Sequence, residues 1–292
     1  MKKNHVIFVL LAVFSLLHAL PLEKVLDFGD NPGKLRMFTY VPGTINGEKD
    51  IPLVLILHGS GQSAKVLAAA SGFNKLADSL GFIALYPDQP FYNNLLTSFS
   101  FYIPGKMMKD RGETASIRNM ISYMCDNYPI DRDKIFITGM SAGAAMANVM
   151  LNAYPELFAA GALFAAPSNL YEDINPDRRH KPRIAVIHGD VDMTVLPKHA
   201  DKIVSQWLDF FNLDPDDRKV SENYLDHSLL RLSAWPAEGE PQLVRLDLLK
   251  TGHILLVDIG NGIKQGGQYS LFTQDKNFHL PYWICEFFGL TK

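Results

Sequence analysis

The chain has 292 residues, 47% of them hydrophobic and 20% charged, with a formal net charge of −3 at pH 7. That balance suits one globular domain with a sizeable core and excludes a disordered or fibrous chain. Mild acidity excludes a general electrostatic affinity for nucleic acid or anionic membrane, and the one basic patch, Asp177-Arg178-Arg179-His180-Lys181, reads as a solvated loop.

The N-terminus reads as a signal peptide over residues 1–19. Met1-Lys2-Lys3 is a positive n-region, Val6 to Leu17 is almost wholly apolar, and Ala19 offers a small residue before Leu20-Pro21. The apolar run is short for a bilayer span, and no cysteine follows to accept a lipid. The expectation is a secreted or periplasmic protein without a stable membrane anchor, with residues 20–292 forming a single catalytic domain.

The rest of the chain alternates strand and helix signals. A strand is expected over residues 35–41. The continuous apolar run 53–57 reads as a buried central strand. A helix over 64–80 and a strand over 82–86 follow, then a long loop, 87–110, containing Phe99, Phe101 and Tyr102. Next come a helix over 113–128, a strand over 135–138, a helix over 142–153, and strands over 161–165 and 184–187. A helix over 198–211, a mostly polar connection over 212–240, a last strand over 243–249 and a terminal helix over 281–288 complete the series. Such alternation implies an α/β fold with a mainly parallel sheet covered by helices on both faces. The two cysteines, Cys125 and Cys285, sit on helical patterns and read as buried free thiols. No Cys or His cluster has metal-binding spacing, so neither metal nor cofactor is expected.

One junction carries the chemistry. Ile135-Phe136-Ile137-Thr138 is β-prone, Gly139-Met140-Ser141-Ala142-Gly143 follows at once, and a helical Ala- and Met-rich segment comes next. Strand, Gly-x-Ser-x-Gly, helix is the context of a nucleophile elbow: the serine is exposed on a sharp turn, and flanking side chains must be absent. The new helix aims free N–H groups at the anion formed in acyl transfer.

An activated serine needs a base and an orienting acid, in this fold class in the order serine, acid, histidine. The strand 184–187 runs into His188-Gly189-Asp190-Val191-Asp192, where Asp192 is the candidate acid and Asp190 its competitor. The last strand leads to Lys250-Thr251-Gly252-His253, and His253 is the candidate base. His227 and His279 do not directly follow a strand. Two donors are needed for the oxyanion. Ala142 N–H is one, and the other comes from His58-Gly59-Ser60-Gly61-Gln62, at Ser60 or also Gly61. His58 reads as a structural hydrogen-bonding residue.

Gly59-Ser60-Gly61-Gln62-Ser63-Ala64 also satisfies a G-x-G-x-x-A dinucleotide pattern, with Asp88 ending the next strand. That oxidoreductase reading leaves Ser141, Asp192 and His253 unexplained.

Together these motifs resemble the secreted α/β-hydrolase family of poly(3-hydroxybutyrate) depolymerases and related feruloyl and acetylxylan esterases. The resemblance runs from about Leu35 to Phe288. It rests on Leu57 to Ala64, Tyr128-Pro129-Ile130-Asp131-Arg132-Asp133-Lys134-Ile135, Gly139 to Ala147, Tyr154-Pro155-Glu156-Leu157-Phe158-Ala159-Ala160-Gly161 and His188 to Val195. It implies an α/β-hydrolase fold and an ester-cleaving activity. Its pattern places the acid three residues after the glycine of the His-Gly pair, at Asp192, and the base at His253.

The chain departs from the family where substrate is chosen. Ser60 stands where a Cys is usual, Ser98-Phe99-Ser100-Phe101-Tyr102 replaces a Cys-Trp-Asn-Trp-Phe-like run, and Leu255 replaces the Trp two residues after the catalytic His. Phe99, Phe101 and Tyr102 are candidates for lining an apolar cleft, with a packed loop core as the alternative. The sequence therefore points to a serine esterase whose substrate is a hydroxyalkanoate ester or an acyl ester of plant polysaccharide, as polymer or small ester. The alternative of another class is an exported polymer- or glycan-binding protein on a hydrolase scaffold. Oligomeric state is left open.

Overall fold

The computed structural model describes residues 22–45, 49–168 and 179–291. The expected signal peptide, and Asp177 and Arg178 of the basic patch, lie outside them. Short β1 (Glu23–Val25) leads into β2 (Arg36–Tyr40) and β3 (Ile51–Leu57). After α1 (Ala64–Ser71) and α2 (Phe73–Leu80) come β4 (Ile83–Asp88), a long loop holding one-turn α3 (Pro104–Met107), and α4 (Gly112–Asn127). Then follow β5 (Ile130–Met140), α5 (Ala142–Ala153), β6 (Ala160–Phe164), β7 (Arg183–Gly189), α6 (Lys198–Phe211), β8 (Lys219–Glu222), β9 (Leu230–Trp235) and β10 (Leu243–Leu248). A small parallel pair, β11 (Leu255–Val257) and β12 (Thr273–Asp275), precedes α7 (Leu280–Phe287).

One sheet orders its strands β1-β2-β4-β3-β5-β6-β7-β10-β9-β8. The run from β4 to β10 is parallel, and antiparallel β1, β2, β9 and β8 extend its margins. Helices α4, α5 and α6 pack on one face, with Met120, Met146, Met150 and Trp207 in that core. Helices α1, α2 and α7 pack on the other, with Leu76, Trp283 and Phe287. Burial on both faces is why β3 reads as an unbroken apolar run. Every residue of α5 is buried, which explains its Ala- and Met-rich, all-round apolar sequence. Cys125 packs on the first face and Cys285 lies buried on the second, so the sheet separates two free thiols.

Three expectations need correction. The helix expected over 64–80 is two helices, because Gly72 has φ +82°, and a Cβ there would approach Gly267 N to 2.5 Å and His279 Nε2 to 2.9 Å. The stretch 212–240 is no mere connection. It contains the exposed, polar margin strand β8 (KVSE) and, next to it, β9 (LRLSAW), whose apolar residues are interrupted by Arg231 and Ser233. Consequently β10 is not the last strand, since β11 and β12 follow it.

From β3 the chain moves outward to β4 on one side, and from β5 it moves to β6 and β7 on the other. The loops leaving the carboxyl ends of β3 and β5 therefore diverge to opposite faces. They open a crevice at a topological switch point, where open α/β sheets bind ligands.

Candidate active site

The β5–α5 junction sits at that crevice. Ser141 has φ +55° and ψ −120°, a strained conformation for a residue with a side chain. Its N–H donates to Phe164 O (2.9 Å), and its carbonyl accepts from Ala145 N–H (2.9 Å), so the turn is fixed to β6 on one side and α5 on the other. Two glycines make the turn possible. A Cβ at Gly139 would lie 2.5 Å from the Gly143 carbonyl carbon, and one at Gly143 would collide with the Leu57 and His58 carbonyl oxygens. Helix α5 is thus pressed onto the end of β3, bringing the oxyanion loop to the serine: a Cβ at Gly59 would stand 3.4 Å from Ser141 Cβ.

The other two predicted residues leave the same sheet edge. Asp192 follows β7 and His253 follows β10, a parallel neighbour. His253 Nδ1–H donates to Asp192 Oδ2 (2.7 Å), leaving Nε2 as the proton acceptor. Asp192 Oδ1 accepts from Thr194 N–H (2.8 Å) and Val195 N–H (2.9 Å), and the carboxylate is fully buried. The two loops are tied by Val191 N–H to Thr251 O (3.2 Å), and a Cβ at Gly189 would strike the Thr251 carbonyl. That close approach is a physical reason for glycine in the His-Gly pair. Asp190 is exposed and only accepts a long bond from Thr251 N–H (3.4 Å), bracing the loop rather than the imidazole.

The expected oxyanion donors are available. Among the described residues, neither Ser60 N–H nor Ala142 N–H donates to a backbone carbonyl, whereas Gly61 N–H is committed to Leu96 O (2.8 Å). Gln62, which sequence reasoning passed over, fixes this loop by accepting Gly59 N–H at Oε1 (2.9 Å). His58 is structural, as expected. Its Nε2 accepts from Gln89 N–H (3.0 Å), so Nδ1–H donates to Gly59 O (2.9 Å), and burial pushes its pKa down. His188 was read only as part of a motif. It is buried behind the acid with Nε2–H donating to Val195 O (2.8 Å), 3.6 Å from Asp192 Oδ2.

The aromatic loop is divided. Phe99 is fully buried with its ring 4.9 Å from His58, so it belongs to the core and not to a substrate cleft. Phe101 is half-buried against the core, and Tyr102 is exposed, edge-on to Phe101 at 5.3 Å. The exposed apolar surface lies elsewhere on these loops. Phe91, Tyr92, Leu95 and Leu96 after β4, with Val191 and Met193 after β7, are 54–83% exposed. β4 and β7 each stand two strands from β5, on opposite sides of it, so these side chains lie at one sheet edge on either side of the elbow as an exposed apolar rim. No sequence periodicity announces such a rim, because it is assembled from two loops far apart in the chain. Among the described residues, no group of three or more His, Cys, Asp or Glu could hold a metal ion, and no helix is long and apolar enough to cross a membrane.

A mostly parallel sheet with helices on both faces and a glycine-bounded serine elbow at its switch point defines an α/β-hydrolase. A sequence model of the family described as Esterase PHB depolymerase matches residues 35–174. Poly(3-hydroxyalkanoate) depolymerase C of Paucimonas lemoignei is 30% identical over 298 residues, covering 92% of this chain and 70% of its own. Acetylxylan esterase A of Aspergillus oryzae is 28% identical over 247 residues, covering 73% and 79%. The solved acetyl xylan esterase from Aspergillus awamori aligns with TM-score 0.68 and 26% identity, over 80% of this chain and 93% of its own. The chain belongs to the PHB depolymerase esterase family, and it is a carboxylic-ester hydrolase.

Proposed function

We propose that the protein is an exported serine esterase working through Ser141, His253 and Asp192, and that its substrates are apolar esters of the hydroxyalkanoate type, as oligomer or polymer. The observation that carries the catalytic reading is the 2.7 Å contact between His253 and Asp192 at the edge where strained Ser141 stands. Ser141 Oγ attacks the ester carbonyl as His253 Nε2 takes its proton. Asp192 holds the imidazole tautomer and stabilises the cation. The N–H groups of Ser60 and Ala142 bind the oxyanion, a contribution worth about 3–4 kcal/mol per donor in such sites. His253 then protonates the leaving alkoxide, and water repeats the sequence on the acyl-enzyme.

The apolar rim favours the polyester reading over the polysaccharide one. Side chains such as Leu95 and Met193 gain by leaving water against an aliphatic ester surface and offer no hydrogen bonds to sugar hydroxyls. Export rests on the N-terminal residues 1–19, with 20–292 as the single catalytic domain.

The test is hydrolysis of p-nitrophenyl butyrate, methyl ferulate, acetylated xylan and hydroxybutyrate oligomers by the mature protein, with Ser141→Ala as control. Preference for the oligomers, lost in Ser141→Ala, is the expected result. Preference for acetylated xylan would overturn the substrate assignment, and turnover surviving Ser141→Ala would overturn the mechanism.

A further inference from the structure

The loop after β4 does more than rim the crevice, because a short strap within it, residues 96–100, grips the oxyanion loop at one end and a buried carboxylate at the other. At the first end, Leu96 O accepts Gly61 N–H (2.8 Å) and Thr97 Oγ1–H donates to Gln62 O (2.8 Å). These bonds hold the two residues after Ser60. Thr97 makes them at φ +47°, a backbone conformation that a β-branched residue adopts only when its surroundings force it. At mid-strap, Phe99 is clamped against His58. At the far end, the fully buried Glu113 in the first turn of α4 accepts Ser100 N–H at Oε2 (2.7 Å). Its Oε1 accepts Gln89 Nε2–H (2.7 Å), and the same Gln89 amide donates to Ser98 O (3.1 Å). Gln89 N–H in turn donates to His58 Nε2 at the end of β3. The carboxylate therefore gathers the strap and the oxyanion strand end around one acceptor pair. An acidic side chain in a helix's first turn is ordinarily explained by the helix dipole. Full burial with both oxygens committed, one to Ser100 of the strap and one to the Gln89 amide that also holds Ser98 O, is not explained that way, since desolvating a carboxylate is costly unless it organises its partners.

We propose that Glu113 is a positioning residue for the oxyanion hole, acting through the strap 96–100 on the Ser60 N–H. It touches no reacting atom. It fixes the distance between α4 and the oxyanion loop, so that the donor points at the crevice before substrate arrives. The inference rests on the reading of Ser60 N–H as an oxyanion donor.

Glu113→Gln turns one acceptor into a donor facing a donor. It is expected to lower kcat for p-nitrophenyl butyrate on the order of tenfold with KM within about twofold, because the misplaced donor is needed most in the transition state. Thr97→Val, which removes the hydroxyl at the other end of the strap, is expected to have an effect of the same kind. The double variant should be no slower than about the worse single one, since both cut the same connection. Affinity for a trifluoromethyl ketone, whose adduct with Ser141 carries an oxyanion, should fall by the same factor as kcat/KM. Tyr154→Phe, which removes the acceptor of Asp110 N–H away from the strap, should leave kcat unchanged and controls for general loosening. If Glu113→Gln does not fold, Glu113→Asp keeps the charge but is too short to reach both donors, and the same kinetic signature is required of it.

Unchanged kcat in a folded Glu113 variant overturns the proposal, as do a pure KM effect or multiplicative losses in the double variant. Turnover persisting in Ser141→Ala would instead remove the reading beneath it, so the two failures are separable.

Discussion

The elbow after β5 and the loop after β4 face each other across the crevice and are built on opposite principles. The elbow is held by backbone: Ser141 is bonded into β6 and α5, and Gly139 and Gly143 let three elements touch without side chains between them. The β4 loop is held mainly by side chains, through Gln89, Asn93, Thr97 and Glu113, beside the backbone bond from Gly61 N–H to Leu96 O, and turns apolar groups outward. A reaction common to many esters needs fixed geometry, which glycines and sheet ends supply. Selection of one ester needs a surface that can vary without disturbing that geometry, which the outward side chains of Phe91, Tyr92 and Leu95, outside the strap 96–100, supply.

The largest effect that would sharpen this contrast is at the acid. Asp192→Asn should lower kcat about 10³–10⁴-fold by reversing the imidazole tautomer, whereas Asp190→Asn should stay within about twofold. Steady-state rates on p-nitrophenyl butyrate decide, and a greater loss at Asp190 would reverse the assignment. Next is the packing of the elbow. Gly143→Ala drives a methyl group into the Leu57 and His58 carbonyls and should destabilise the fold by about 3 kcal/mol in urea titrations. A neutral result would mean the elbow tolerates movement and is not the rigid half of the comparison. On the loop side, replacing Phe91, Tyr92 and Leu95 together by Ser should weaken turnover of hydroxybutyrate oligomers about tenfold while sparing p-nitrophenyl acetate. Equal loss on both substrates would show that the rim serves the fold.

The smallest effect concerns pH. Burial holds His58, His188 and His279 below the ordinary histidine range. As pH falls through that range, near 6.5, the unfolded chain takes up protons that the folded chain refuses, so their contribution is complete above it and is lost below. His199 is lowered by burial too, and Glu113, raised by burial, opposes this as one group against four. The urea midpoint should therefore decline from pH 8 to pH 5.5. A midpoint flat or rising would contradict the buried, neutral imidazoles.

What was legible in the sequence follows the same division. Ser141, Asp192 and His253 each follow a strand signal and carry a local glycine, so strand ends and motif spacing suffice to single them out as candidates. The α5 and α6 boundaries are legible because their apolar patterns are dense. Gly72 was not read as a helix break, because its conformation is imposed by His279 and Gly267 from the far end of the chain. β8 is hidden by its short, exposed, polar composition at the sheet margin, and β9 by Arg231 and Ser233 interrupting a six-residue apolar pattern. Phe99 stays open between cleft and core in the sequence because an aromatic in a loop carries no mark of which way it points. Glu113, Gln62 and Thr97 are joined only by tertiary contacts, and no one-dimensional pattern announces them.

The central claim is that Ser141 is the nucleophile, and labelling the mature protein with a fluorophosphonate followed by peptide mass spectrometry tests it most directly. The account predicts a single adduct on the peptide carrying Ser141, formed in step with loss of esterase activity and absent from His253→Ala. An adduct on another serine, or esterase activity that survives full labelling of Ser141, would contradict it.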